Sequence, residues 1–138
     1  MAGERKGILG AVTLQGKPLL DWQNYALPFA IDDNAAYSHA PCKHAPCVYR
    51  ATFDAPASGN ADADTFLDTK GLGKGVVWLN GHPLGRFWNI GPQRTLYVPG
   101  AWLKPSGNQL IVLDLLAEGQ PVLHTVKRPM LGATKEAQ

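Results

Sequence analysis

Charge is scarce in this chain. Only 17% of its 138 residues are Asp, Glu, Lys or Arg, and the net charge is +2. So small a balance gives no electrostatic footprint for nucleic acid or an acidic membrane. Basic residues stand side by side only at Arg5-Lys6 and Lys127-Arg128, near the two ends, so no nucleic-acid partner is expected. Long apolar runs are missing as well: nothing approaches the ~20 residues of a membrane span. The stretch Met1-Ala2-Gly3-Glu4-Arg5-Lys6 is charged and leads into no apolar h-region. No signal peptide is visible, and no compartment is indicated. Glutamate occurs only at Glu4, Glu118 and Glu136, and cysteine only at Cys42 and Cys47. No stretch keeps a helical period beyond about two turns, and no internal repeat is found.

What remains is a chain of short strand-like runs separated by Gly, Pro and Asn. The length suits one domain, and 45% hydrophobic residues can build its core. Strands are expected over residues 8–14, 48–53, 65–68, 76–79, 95–98 and 110–116, with a last one within 120–126. Residues 19–27 read either as a strand burying Trp22 or as a short helical turn, ended by Pro28. Residues 31–46 and 55–64 read as loops. Asn80-Gly81 is a strong hairpin signal. This pattern predicts an all-β sandwich or barrel. Residues 1–7 read as a loose leader, 8–126 as a single domain and 127–138 as a flexible tail.

The centre of the chain is residues 71–116. Between Thr69 and Leu113 there is no Asp or Glu, whereas Lys70, Lys74, Arg86, Arg94 and Lys104 are present. The plain reading is five solvated side chains on edges and turns, which also discourage aggregation between strands. Residues 85–93 read as a loop carrying an arginine, two adjacent aromatics and two amides. Trp78 alternates with Val76 and is expected in the core. Phe87 and Trp88 would face opposite ways if the strand continues, leaving at most one exposed.

His39, Cys42, His44 and Cys47 lie within nine positions. Thiolate and imidazole suit tetrahedral zinc, but Pro41 and Pro46 stiffen the stretch and four ligands would be crowded into it. A Cys42–Cys47 disulfide and two free thiols are the competing readings. No cofactor is called for.

The runs 49–53, 64–68, 73–81, 84–93, 95–100 and 108–113 together resemble the C-terminal portion of β-galactosidases of glycoside hydrolase family 35. Residues 5–8, with Val12, Leu14, Gly16, Trp22, Tyr25 and Leu27, are similar to the segment that enters that portion. The resemblance implies a jelly-roll β-sandwich of the galactose-binding-domain type, lying outside a catalytic (β/α)₈ barrel. Such a barrel needs ~200 residues or more, so no catalytic residue carries over. The residues agree. A retaining glycosidase needs two carboxyl groups ~5 Å apart, and the glutamates fall in the leader, a turn and the tail. Asp68 and Asp114 are expected to bond backbone rather than form an acid–base pair. Ser38, Ser58 and Ser106 have no Gly-x-Ser-x-Gly setting.

In this frame Arg86, Trp88, Asn89 and Gln93, with His82 and Trp102 as neighbours, have the chemistry of a galactoside site. An aromatic ring meets apolar C–H faces, and amides and arginine meet hydroxyls. The same residues could seat a neighbouring catalytic barrel, or simply pack the end of the sandwich. The expected function is a non-catalytic accessory domain that docks onto or braces such a barrel; the alternative is a freestanding carbohydrate-binding module.

Overall fold

A computed structural model describes residues 8, 10–25, 35–55 and 64–133. The chain forms two compact units, residues 1–35 and 36–138. In the first, strands β1 (Thr13–Leu14) and β2 (Lys17–Pro18) make a two-residue hairpin. Gln15 and Gly16 turn it, both at positive φ. Among the described residues of the strand expected over 8–14, only Thr13 and Leu14 are in a strand, and Leu9 lies outside the described residues. Of the segment expected over 19–27, residues 19–25 form neither a strand nor a helical turn, and residues 26–28 lie outside the described residues. Trp22 is 60% exposed instead of buried, its indole N–H donating to the Leu19 carbonyl.

The second unit is all-β, a jelly-roll sandwich of two antiparallel sheets. Its strands are β3 (Cys47–Phe53), β4 (Thr65–Asp68), β5 (Lys74–Leu79), β6 (His82–Trp88), β7 (Thr95–Val98), β8 (Asn108–Asp114) and β9 (His124–Val126). One sheet has the order β3-β8-β5-β6 and the other β7-β4-β9. A short 3₁₀ turn, Gly100–Trp102, follows β7. The β5–β6 hairpin turns at Asn80-Gly81, with φ of 50° and 82°, the positive pair that a two-residue primed turn requires.

Strand alternation decides what is buried. Leu67, Leu96 and Val98 of the smaller sheet meet Val77, Leu79, Phe87, Leu110 and Val112 of the larger. Each fully buried aliphatic side chain contributes about 1.5–3 kcal/mol. Burial on β5 alternates one residue out of phase with the expectation that Trp78 is core. Val77 and Leu79 enter the core, whereas Val76 and Trp78 lie half-buried on the opposite face. The strand around Leu110–Leu113 starts earlier than expected and stops at Asp114, leaving Leu115 and Leu116 exposed.

Buried polar groups tie the connections to this frame. Asn108 is fully buried; its amide donates to the Phe53 and Lys104 carbonyls, and its oxygen accepts from Lys104 N–H and the Asn80 amide. Asp114 accepts from Gly73, Lys74 and Leu116 N–H at 2.8, 3.0 and 3.0 Å. No buried side-chain nitrogen or oxygen among the described residues lacks a partner, as expected where desolvated polar groups are costly. Part of the segment read as a tail is held: Arg94 N–H donates to the Met130 carbonyl and Gly132 N–H to that of Pro92.

Candidate functional site

The segment read as a loop over 85–93 is half strand. Strand β6 continues through Trp88, and only residues 89–92 form a turn, closed by Gly91 N–H to the Trp88 carbonyl at 3.0 Å. Because the strand continues, Phe87 points into the core and Trp88 stays 40% exposed, in keeping with the opposite-faces argument. Register places Lys74 across from Trp88 and Val76 across from Arg86. The Lys74 ammonium sits 3.8 Å from the centre of the Trp88 ring, a cation–π contact. Arg86 is exposed on the same face.

The structure does not gather the six candidate residues. His82 stands at the other end of β6 from Trp88, about 20 Å away at ~3.3 Å per residue. There its ring stacks on Trp102 at 4.7 Å and 23°, and Asn80 Nδ2 donates to the Trp102 carbonyl at 2.7 Å. That pair caps the hairpin tip. Asn89 is exposed in the turn; its backbone N–H donates to Gly73 and its carbonyl accepts from Arg94 Nη1 at 2.7 Å. The Gln93 amide donates to the Thr95 carbonyl at 3.0 Å. It borders a separate groove of about 490 Å³, lined also by Phe66, Tyr97, Pro92, Pro129 and Met130. Sequence reasoning missed this groove. The signal available was the alternation of Phe66 with Leu67 and of Tyr97 with Leu96, which sends both rings outward. They lie 5.6 Å apart, tilted by 56°. Beside the groove the Tyr97 hydroxyl hydrogen-bonds Asp64, and this bond, helped by Gly100 N–H, lowers the Asp64 pKa below 3.8. The same bond raises the Tyr97 pKa.

The cysteine cluster has a definite form. Cys42 and Cys47 are disulfide-bonded, with Cα atoms 6.3 Å apart. The sulfurs are thus not thiolates, the form zinc binds. No group of three potential ligands, and so no set made by His39 and His44 with these sulfurs, occurs among the described residues. Four of the five described aspartates serve the backbone: Asp54, Asp64, Asp68 and Asp114 accept from the N–H groups of Gly107, Gly100, Lys70 and Gly73. Glu118 is exposed at a turn.

Two antiparallel sheets enclosing one core, with strand order β3-β8-β5-β6 over β7-β4-β9, define a galactose-binding-like β-sandwich. Residues 46–108 match the family model described as "Beta-galactosidase, galactose-binding domain". The chain is 36% identical over 137 residues to Beta-galactosidase-1-like protein 2 of Homo sapiens, covering 94% of this chain and 21% of that protein. It is 36% identical over 126 residues to Beta-galactosidase 1 of Dictyostelium discoideum, 86% of this chain and 18% of that protein. With the Beta-galactosidase of Xanthomonas manihotis it shares 37% over 98 residues, 71% of this chain and 16% of that protein. The chain belongs to the galactose-binding-domain family of the β-galactosidases. It spans about a fifth of the length of these relatives and corresponds to an accessory part of them, not to the catalytic part.

Proposed function

We propose that this accessory domain braces the catalytic barrel of a β-galactosidase-type glycoside hydrolase, and that residues 10–25 are where it docks. The observation that carries the reading is the exposure of that segment. Leu14, Leu19, Leu20, Trp22 and Tyr25 are all exposed, Leu20 at 78% and Tyr25 at 79%. Single exposed apolar residues are ordinary, but five within twelve positions form a surface that calls for a cover. The relatives are about five times longer than the matched segment, and their remaining length supplies a candidate cover. A freestanding module would gain nothing from keeping these side chains in water.

The test is association. The chain is mixed with the Xanthomonas manihotis β-galactosidase from which the matched segment has been deleted, and the mixture is analysed by sedimentation velocity. Bracing predicts a one-to-one complex and a higher melting temperature for the truncated enzyme. Two independently sedimenting species with unchanged melting would refute it.

A further inference from the structure

We infer that the face of the larger sheet around Lys74, Arg86 and Trp88 is a binding site for an anionic saccharide, one bearing carboxylate or sulfate groups. The inference rests on reading the chain as part of a galactoside-handling enzyme. It concerns a different surface from residues 10–25.

The argument begins with charge. Lys74 and Arg86 are diagonal neighbours on one face: Lys74 is across from Trp88, and Arg86 is two residues before Trp88 on β6. Diagonal positions of this kind lie about 7–8 Å apart. Two like charges held so close repel each other and stay hydrated unless an anion joins them. No Asp or Glu occurs between Thr69 and Leu113, so neither β5 nor β6 supplies one. Asp114 is next in sequence, but it is 1% exposed and spends its oxygens on three backbone N–H groups. Among the described residues neither Lys74 nor Arg86 forms an ion pair.

The geometry is also fixed in advance. Asp114 holds the Lys74 N–H, and the Lys74 carbonyl accepts from Leu115 N–H at 2.7 Å. The Lys74 side chain is steered by the Trp88 ring. Phe87, buried beside Trp88 in the next position, anchors β6 against the core. Little ordering of Lys74 and Trp88 is therefore left for binding to impose. An arginine fork accepts carboxylate or sulfate oxygens in pairs, and a lysine adds a point charge. The exposed part of the Trp88 ring meets the apolar face of a sugar, and the Asn89 amide next to it can bond hydroxyls. Charge alone would fit any anion; ring and amide favour a saccharide.

The test is titration of the full chain with galacturonic acid trisaccharide, a sulfated galactan oligosaccharide and neutral galactotriose, followed by NMR shifts of the Trp88 indole and Asn89 amide. Both anionic ligands are expected to bind about tenfold more tightly than the neutral one. Their affinity should fall severalfold as NaCl rises from about 20 to about 200 mM. Lys74→Gln/Arg86→Gln should abolish the preference, while Lys74→Arg should retain it; an unchanged melting curve shows that the double variant is folded. Preference for only one of the two anionic ligands would tell carboxylate from sulfate and still support the site. Equal binding of neutral and anionic ligands would overturn it, as would no shift at either residue. It would also be overturned if the double variant lost association with the truncated enzyme but kept saccharide binding. Only that last result touches the exposed segment 10–25, because it would move the docking contact to this face; the other outcomes leave the bracing proposal to its own test.

Discussion

Removing the Asp114 carboxylate should unlatch the start of β5. Its oxygens accept from Gly73, Lys74 and Leu116, and the side chain is 1% exposed. A hydrogen bond to a charged acceptor contributes about 1.5–3 kcal/mol, and a buried donor left unpaired costs about 1–3 kcal/mol. Asp114→Ala strands all three donors. The bonds of Lys74 and Leu116 are only part-buried, so water recovers some of that loss, and a net cost of about 4 kcal/mol is expected. Asp114→Asn keeps an oxygen for Lys74 and Leu116 but turns an amide N–H₂ toward the Gly73 N–H. One donor facing another should cost about 2 kcal/mol. Urea unfolding of the full chain, followed by tryptophan fluorescence, measures both. The reasoning fails if both variants lie within about 1 kcal/mol of the parent, or if Asn destabilises more than Ala.

Other outcomes follow from the same structure. Asn108→Ala removes four hydrogen bonds from a fully buried amide and should cost about 3 kcal/mol in the same unfolding assay. Gly75→Ala would drive a methyl group into the Leu113 carbonyl and the Phe87 ring, so near-UV circular dichroism should show the tertiary signal lost. Tyr97→Phe removes the main cause of the lowered Asp64 pKa, and an NMR titration should find that pKa raised toward 3.8. A depressed carboxyl favours the fold above its unfolded pKa. That contribution fades as pH falls below 3.8 through the folded value, and the variant should lose part of this pH dependence. Reducing the Cys42–Cys47 bond opens a loop with a sequence separation of 5. By loop-closure entropy the loss should be about 2 kcal/mol, read as a lower urea midpoint.

Much of the sandwich was legible because its strands announce themselves at both ends. Asn80-Gly81 marked the hairpin, and Val48–Phe53 and Thr95–Val98 are runs of strand formers bounded by turn residues. The face assignment on β5 was not legible. Val76, Val77, Trp78 and Leu79 are all apolar, so no polar residue reveals the phase, and a bulge between Val77 and Trp78 shifts the pairing with β6. The same lack of contrast hid the continuation of β6: Gly85 looked like a loop residue, yet it sits in the strand at φ 136° facing the Leu96 side chain. The candidate site suffered for a different reason. His82, Trp88 and Gln93 are close in sequence, but an extended strand separates what a loop would cluster. The Lys74–Trp88 pairing depends on register, and register is set by the turn and by the bulge.

The bracing account is tested most directly by comparing one change in two settings. The Xanthomonas manihotis β-galactosidase is rebuilt with this chain in place of its matched segment, and Leu20, Trp22 and Tyr25 are replaced by serine both there and in the isolated chain. If those side chains dock on the rest of the enzyme, the chimera loses about 1.5–3 kcal/mol for each one that is fully covered. Its melting temperature should then drop while that of the isolated chain stays the same. A drop confined to the isolated chain, or equal in both, would show that the three residues serve this domain's own fold and would contradict the account.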